Sequence, residues 1–217
     1  MEREHFLGRV SAALRGAALP ESTGLAVVPD ISFADPVATF VAEAAAVDSE
    51  AVRVTADTLL ASLTSLFDQL GTSRFIAWDE LEDVAPGWGE WVGLTGLERV
   101  DANVRSDSGD RKHDHARVGG VQVGVTSADF GIAASGSVVL CHGPGRPRAA
   151  SLLVESHIVL LPAERIVASL GDALEQVTWA HTSNISVITG PSRTGDIESV
   201  LTLGVHGPRH VHIFVID

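Results

Sequence analysis

Three stretches rich in Gly, Ser, Thr and Arg carry the side chains best suited to hold a small ligand. They are Thr126 to Gly136, His142 to Arg148, and Gly190 to Asp196. The third has the most explicit chemistry. A strand is expected to end at Thr189 and a helix to run over 194–203, with Gly190 and Pro191 making the turn. The free N–H groups and positive dipole end of such a helix would face the loop. Ser192 and Thr194 add hydroxyls and Arg193 a guanidinium fork, a set suited to a carboxylate or phosphate. The same residues suit a plain helix cap equally, with Asp196 and Glu198 complementing the dipole. In the first stretch Asp129 is the acidic residue. Partly buried, it could serve as a base or hold a substrate hydroxyl; an Asx turn or a cap is the plainer alternative. Ser135 and Gly136 bring backbone N–H groups close to a ligand or make an ordinary tight turn. Arg148 is a further candidate anion contact in the second stretch, and Glu155 reads as a surface carboxylate.

Nine histidines raise the question of metal. His113 with His115 and His210 with His212 are spaced i, i+2, which on a strand puts both rings on one face. No third ligand is evident, so no metal is expected. The segment Gly204-Val205-His206-Gly207-Pro208 reads as a helix stop and turn. A ten-residue helix from Arg193 spans roughly 15 Å, which would carry His206 to the far edge of the sheet. His206 is therefore expected to serve packing or a partner surface, apart from Arg193.

The rare residues exclude several chemistries. The single cysteine, Cys141, cannot form an internal disulfide or hold an iron–sulfur cluster, and suggests an intracellular, cytoplasmic protein. Lys112 is the only lysine and tyrosine is absent, which removes most Schiff-base and tyrosine-acid chemistry. No Gly-x-Gly-x-x-Gly, P-loop, Gly-x-Ser-x-Gly or His-Glu-x-x-His pattern occurs, and no cofactor is expected. Fifteen basic against 28 acidic residues leave a net charge of −13. That surface repels phosphate backbones and anionic lipid, arguing against nucleic acid or a membrane surface. No apolar run reaches 18 residues, so no membrane insertion is expected.

The elements that must position these residues follow from periodicity. Helices are expected over 2–16, 36–48, 56–70 and 162–177, besides 194–203. Strands are expected over 51–55, 74–78, 121–125, 137–141, 157–161, 185–189 and 211–216. Residues 51–78 read as one βαβ unit with its two strands paired in parallel. The charged run 106–116 reads as an exposed connection. At 217 residues the chain suits an N-terminal helical segment, 1–48, and an α/β domain, 49–217, with helices flanking a mixed, largely parallel sheet. Trp88 and Trp91 fit either the core or the interface of a homo-oligomer.

Several of these stretches together resemble the LUD-domain family, which includes the lactate utilization protein C group. The resemblance rests on Thr126-Ser127-Ala128-Asp129-Phe130-Gly131-Ile132-Ala133, on Ser135-Gly136-Ser137, and on Arg148 with Ser151 to His157. It closes with Gly190 to Glu198 and Gly204 to Pro208. It implies a fold similar to the sugar-phosphate isomerase and CoA-transferase superfamily (NagB/RpiA-like). It also implies an accessory role in bacterial oxidation of L-lactate to pyruvate, beside iron–sulfur, flavin-linked partner proteins. Where the family often has Asp-Thr-Gly-Thr, this chain has Ala134-Ser135-Gly136-Ser137, without the acid. Binding of a small anionic metabolite or of a partner through the loops is the first expectation. A stand-alone isomerase or transferase on a sugar phosphate or CoA-bearing substrate, with Asp129 as base, is the second. A purely structural protein is the third.

Overall fold

A computed structural model of the chain describes residues 3–15, 31–102, 118–195, 201–204 and 206–217. The chain divides into two compact units, Met1–Asp30 and Ile31–Asp217. The first contains helix α1 (Arg3–Leu14), on which Phe6, Leu7 and Val10 are exposed. All that follows concerns the second.

Helix α2 (Pro36–Ala46) starts where Pro36 pre-sets the first turn and Asp35 accepts a hydrogen bond from Ala38 N at 2.9 Å. Strand β1 (Glu50–Val54) leads into α3 (Ala56–Leu70). The apolar stripe of α3 buries Leu59, Leu63 and Phe67, and the helix stops at Gly71, whose φ of 62° suits a left-handed cap. Then come β2 (Arg74–Ala77), α4 (Trp88–Thr95), β3 (Glu98–Arg99) and β4 (Val123–Ser127). The chain continues through β5 (Phe130–Ile132), β6 (Ser137–His142), α5 (Ala149–Leu152) and β7 (Ser156–Pro162). It ends with β8 (Ile166–Val167), α6 (Leu170–Gln176), β9 (Asn184–Ile188), β10 (Arg193–Gly195), β11 (Leu201–Leu203) and β12 (His210–Ile216).

Six strands form one sheet in the order β1-β12-β7-β4-β2-β3, parallel at every pairing. Four more form a second, mixed sheet in the order β8-β5-β6-β9. The mixed, largely parallel α/β architecture expected from the sequence is therefore present, divided between two sheets. The central strands β4 and β7 are buried at every residue, as a parallel sheet covered on both faces requires. Trp88 and Trp91 are buried in the same core, and Trp91 Nε1 donates to Thr64 Oγ1 at 2.9 Å.

Four expectations need correction. First, β1 and β2 run parallel in one sheet but do not pair; β12, β7 and β4 lie between them. Second, the apparent loop from Thr126 to Gly136 contains β5. Third, residues 162–177 are not one helix. Ile166 and Val167 pair with Gly131 and Ile132, and a new helix begins at Ser169. There Ser169 and Asp172 form a reciprocal capping box, with Ser169 N donating to Asp172 Oδ2 at 2.8 Å. Leu170 and Leu174, which one helix over 162–177 would line up with Ile166 and Val177 on a single stripe, are exposed.

The fourth correction bears on function. No helix starts at Thr194. Residues 193–195 and 201–203 form an antiparallel hairpin, with Arg193 opposite Leu203. Thr194 and Thr202 are β-branched and favour a pleated backbone. Residues 196–200, including Asp196 and Glu198, lie outside the described residues, as does the whole charged run 106–116 with His113 and His115.

One buried group makes stability depend on pH. His157 on β7 is wholly buried; its Nε2 shares a hydrogen bond of 2.9 Å with Thr126 Oγ1, and Nδ1 has no partner among the described residues. Burial pushes its pKa from 6.5 down to about 3, and His142 and His212 push the same way. Between those two values the unfolded chain binds a proton that the folded chain refuses. Stability is complete above pH 6.5 and declines as pH falls toward 3. Between pH 7 and pH 5 this residue alone should cost about 2 kcal/mol, read from urea midpoints. His157→Gln should lose correspondingly less over that interval; an identical pH dependence would contradict the assignment.

Candidate functional site

The carboxyl ends of three neighbouring parallel strands meet the second sheet around a cavity of about 500 Å³. Glu80 follows β2, Asp129 follows β4 and Arg165 follows β7; Cys141 to Arg146 come from the end of β6. This is where open parallel sheets bind ligands, because the connections diverge there and leave a crevice.

Arg146 organises one wall. Its Nη1 donates to Asp129 Oδ1 at 2.8 Å and to the Cys141 carbonyl at 3.2 Å, and its Nε donates to Glu80 Oε2 at 2.8 Å. The guanidinium also lies 4.9 Å from the centroid of the buried Trp78 ring. Asp129 is held twice, since its Oδ2 accepts from Cys141 N at 2.7 Å. The turn carrying Arg146 is laced to the end of β2 by Asp79 N donating to the Gly145 carbonyl at 2.9 Å. Gly145 has φ 74°, and a Cβ there would stand 2.7 Å from Asp79 Oδ2, so only glycine makes this approach without strain.

Arg165 is placed differently. Nη1 donates to the Ala128 carbonyl at 3.1 Å, and among the described residues no carboxylate lies within ion-pair distance of it. Most of its five donors remain available to a ligand. Cys141, at the same cavity, stays a thiol: burial, then the Asp129 charge, push its pKa up to about 11. It is therefore no nucleophile near neutrality. His142 is held neutral by burial, with Nε2 at 2.9 Å from Ser186 Oγ. The wall can thus hold an anion at Arg165 and accept hydrogen bonds at Glu80. Phe130, Pro144 and Val177 supply apolar surface.

Of the individual candidate ligand contacts, Asp129 lines this cavity, and the stretch His142 to Arg148 contributes Gly143, Pro144 and Arg146. Ser135 and Ser137 share a 2.8 Å hydroxyl hydrogen bond, and Ser137 continues to Thr189 Oγ1 at 2.7 Å. Gly136 turns beneath α2 with φ 61°, so close to the backbone of Glu43 and Ala44 that no Cβ fits. Arg148 is exposed and opens α5.

The third stretch lies at the opposite, amino-terminal edge of the parallel sheet. Arg193 is ion-paired with the Asp48 carboxylate, just before β1. Ser192 N donates to the Pro208 carbonyl at 2.8 Å, just before β12. A seven-residue strand separates the two edges by about 20 Å. With no helix there, the expected floor of amide hydrogens and dipole is not formed, and Arg193 is already committed. Thr194 sits in β10 opposite Thr202.

The expected separation of Arg193 from His206 also fails. The hairpin returns the chain, Gly204 N donates to the Ser192 carbonyl at 2.9 Å, and a Cβ on Gly207 would stand 3.1 Å from Ser192 Cβ. His206 is exposed beside this junction. His210 and His212 stack with centroids 6.3 Å apart, and His212 Nδ1 meets Glu50 Oε2 at 3.1 Å. Among the described residues no group of three or more His, Cys, Asp or Glu could hold a metal ion, and no helix is long and apolar enough to cross a membrane.

Glu80 and Arg165 were not singled out by sequence reasoning, and Arg146 lay within the stretch His142 to Arg148 without a role of its own. Their signal was position: Glu80 and Arg165 each follow an expected strand within a few residues. Arg165 was hidden inside the supposed helix 162–177.

Comparison with known proteins agrees with this architecture. A family model described as the LUD domain matches residues 37–216. Lactate utilization protein C of Geobacillus sp. (strain WCH70) is 34% identical over 186 residues, covering 79% of this chain and 74% of the relative. The protein of the same name from Shouchella clausii (strain KSM-K16) is 30% identical over 196 residues, covering 88% and 83%. The crystal structure of a DUF162 family protein from Deinococcus radiodurans shares the fold. Its TM-score is 0.63 at 18% identity, covering 87% of this chain and all of that one. With the family model spanning most of the chain, and relatives at this identity over most of its length, the chain belongs to the LUD domain family.

Proposed function

We propose that this protein is a component of a lactate-utilising system and binds a small organic anion in the cavity at the carboxyl edge of its parallel sheet. The relatives' names support the system. The observation that carries the binding site is Arg165, a cavity cation whose hydrogen bond among the described residues goes to a neutral carbonyl. With one cysteine, these 217 residues cannot ligate an iron–sulfur cluster, and iron–sulfur, flavin-linked partners would supply that chemistry. The rival of a stand-alone isomerase or transferase asks Asp129 to act as a base. Both its oxygens are engaged, by Arg146 and by Cys141 N, which favours a binding role.

The test is thermal stabilisation by pyruvate, L-lactate and inorganic phosphate in wild type, Arg165→Gln and Arg193→Ala. A ligand at about 100 times its Kd adds about 2.7 kcal/mol of stability. Stabilisation by an organic anion should vanish in Arg165→Gln and persist in Arg193→Ala. The reverse pattern, or none in wild type, would overturn the reading.

A further inference from the structure

The cavity's size and fixed charges say more about its occupant than the reading above uses. A three-carbon acid has the bulk of three or four waters, at about 30 Å³ each. It would fill roughly a fifth to a quarter of a 500 Å³ cavity. Cavities of this volume commonly take ligands several times larger. The apolar surface from Phe130, Pro144 and Val177 would face only water above a three-carbon acid, so burying a ligand's body there is favourable.

Charge narrows the head group. Arg146 is shared between Glu80 and Asp129, so these three groups carry one net negative charge. Arg165 cancels it. The described charges lining the cavity therefore sum to zero, with one cation uncommitted. A monoanion on Arg165 leaves one net negative charge in the cavity; a dianion leaves two, beside two fixed carboxylates. Half-enclosed, low-dielectric walls amplify that difference. Arg146 gives a dianion no second fork, because four of its five donors are taken by Glu80, Asp129 and the Cys141 carbonyl.

We infer that the cavity selects a bulky organic monoanion, a carboxylate carrying an aromatic or similarly sized apolar body, and discriminates against phosphate monoesters. The carboxylate sits on Arg165 and the body lies along Phe130, Pro144 and Val177. The neutral Cys141 thiol adds no charge to the pocket. This inference rests on Arg165 being the anion contact proposed above, but its size and charge claims can fail separately.

The experiment is calorimetric titration at pH 7.5 and fixed ionic strength with three probes: 3-phenylpropanoate, propanoate and phenyl phosphate. Wild type should bind 3-phenylpropanoate about tenfold or more tightly than propanoate, the effect of burying the ring. It should bind phenyl phosphate, mostly a dianion at that pH, about tenfold more weakly than 3-phenylpropanoate. Glu80→Gln, which removes one half-exposed carboxylate, should narrow the second gap; Arg165→Gln should abolish binding of all three. Equal affinity for propanoate and 3-phenylpropanoate, lost in Arg165→Gln, would overturn the size claim and leave the anion site standing. Tighter binding of phenyl phosphate would overturn the charge claim alone. Binding indifferent to Arg165→Gln, or absent for every probe, would overturn both this inference and the anion site.

Discussion

Gly124→Ala should leave little native protein in the soluble fraction, although it adds a single methyl group. Gly124 lies in the middle of β4, buried between β2 and β7. Its backbone is ordinary, so conformational freedom is not the reason for glycine. The reason is α5, which crosses directly above. A Cβ at 124 would overlap the Ala150 carbonyl oxygen and stand 2.7 Å from its carbon and 3.1 Å from its Cα. These are backbone atoms and cannot rotate aside. Either α5 lifts from the sheet, uncovering the buried Ala150 and neighbouring core, or β4 shifts against two hydrogen-bonded neighbours. Either should cost more than about 4 kcal/mol, a large share of the stability of a typical domain. Gly71→Ala is the contrast. There φ is 62° but nothing lies within 4 Å, so only backbone strain is added, about 1 kcal/mol. Expression yield and urea midpoints of the two variants decide the matter. If Gly124→Ala is as stable as Gly71→Ala, the close seating of α5 on β4 is wrong.

The legibility of this chain in its sequence follows from where burial imposes a period. In α3 the residues Leu59, Leu63 and Phe67 all face the core, so the helix and its glycine stop could be placed to the residue. Strands β6, β7 and β12 are continuous apolar runs and were equally plain. Failure came where local pattern and tertiary pairing disagree. Ile166, Leu170, Leu174 and Val177 have helical spacing, yet Ile166 is claimed by a strand partner, Gly131, 35 positions away in sequence. The capping box at Ser169 was the missed local clue. At Arg193 the same conflict was worse. Gly-Pro followed by Ser-Arg-Thr matches a helix start, but Arg193 is tied to Asp48 and its backbone faces Leu203.

The candidate site was partly readable for a related reason. Asp129 could be suspected because an acid between apolar strands needs partners. Which partners could not be read, because strand order decides it. Placing β4 between β2 and β7 is what brings Glu80, Asp129 and Arg165 around one hollow. The expectation from sequence was a single pairing, β1 with β2, which left the neighbours of β4 unassigned. Arg146 enters from a different sheet altogether.

Arg146→Met tests that arrangement with a nearly volume-conserving change. The methionine keeps an apolar contact to Trp78 but removes every donor. Asp129 and Glu80 then face one another without a cation between them. Asp129, only 20% exposed at its side chain, is the more costly of the two; Glu80, at 46%, is largely hydrated and contributes less. The expected loss is about 2–3 kcal/mol. A second substitution separates this from simple loss of packing, with urea midpoints at pH 7 as the readout. Asp129→Asn in the Arg146→Met background should recover part of the loss at pH 7, because the uncompensated charge is gone. A deficit unrelieved by Asp129→Asn would mean that Arg146 stabilises through its stacking on Trp78, and that the two carboxylates are not held by it.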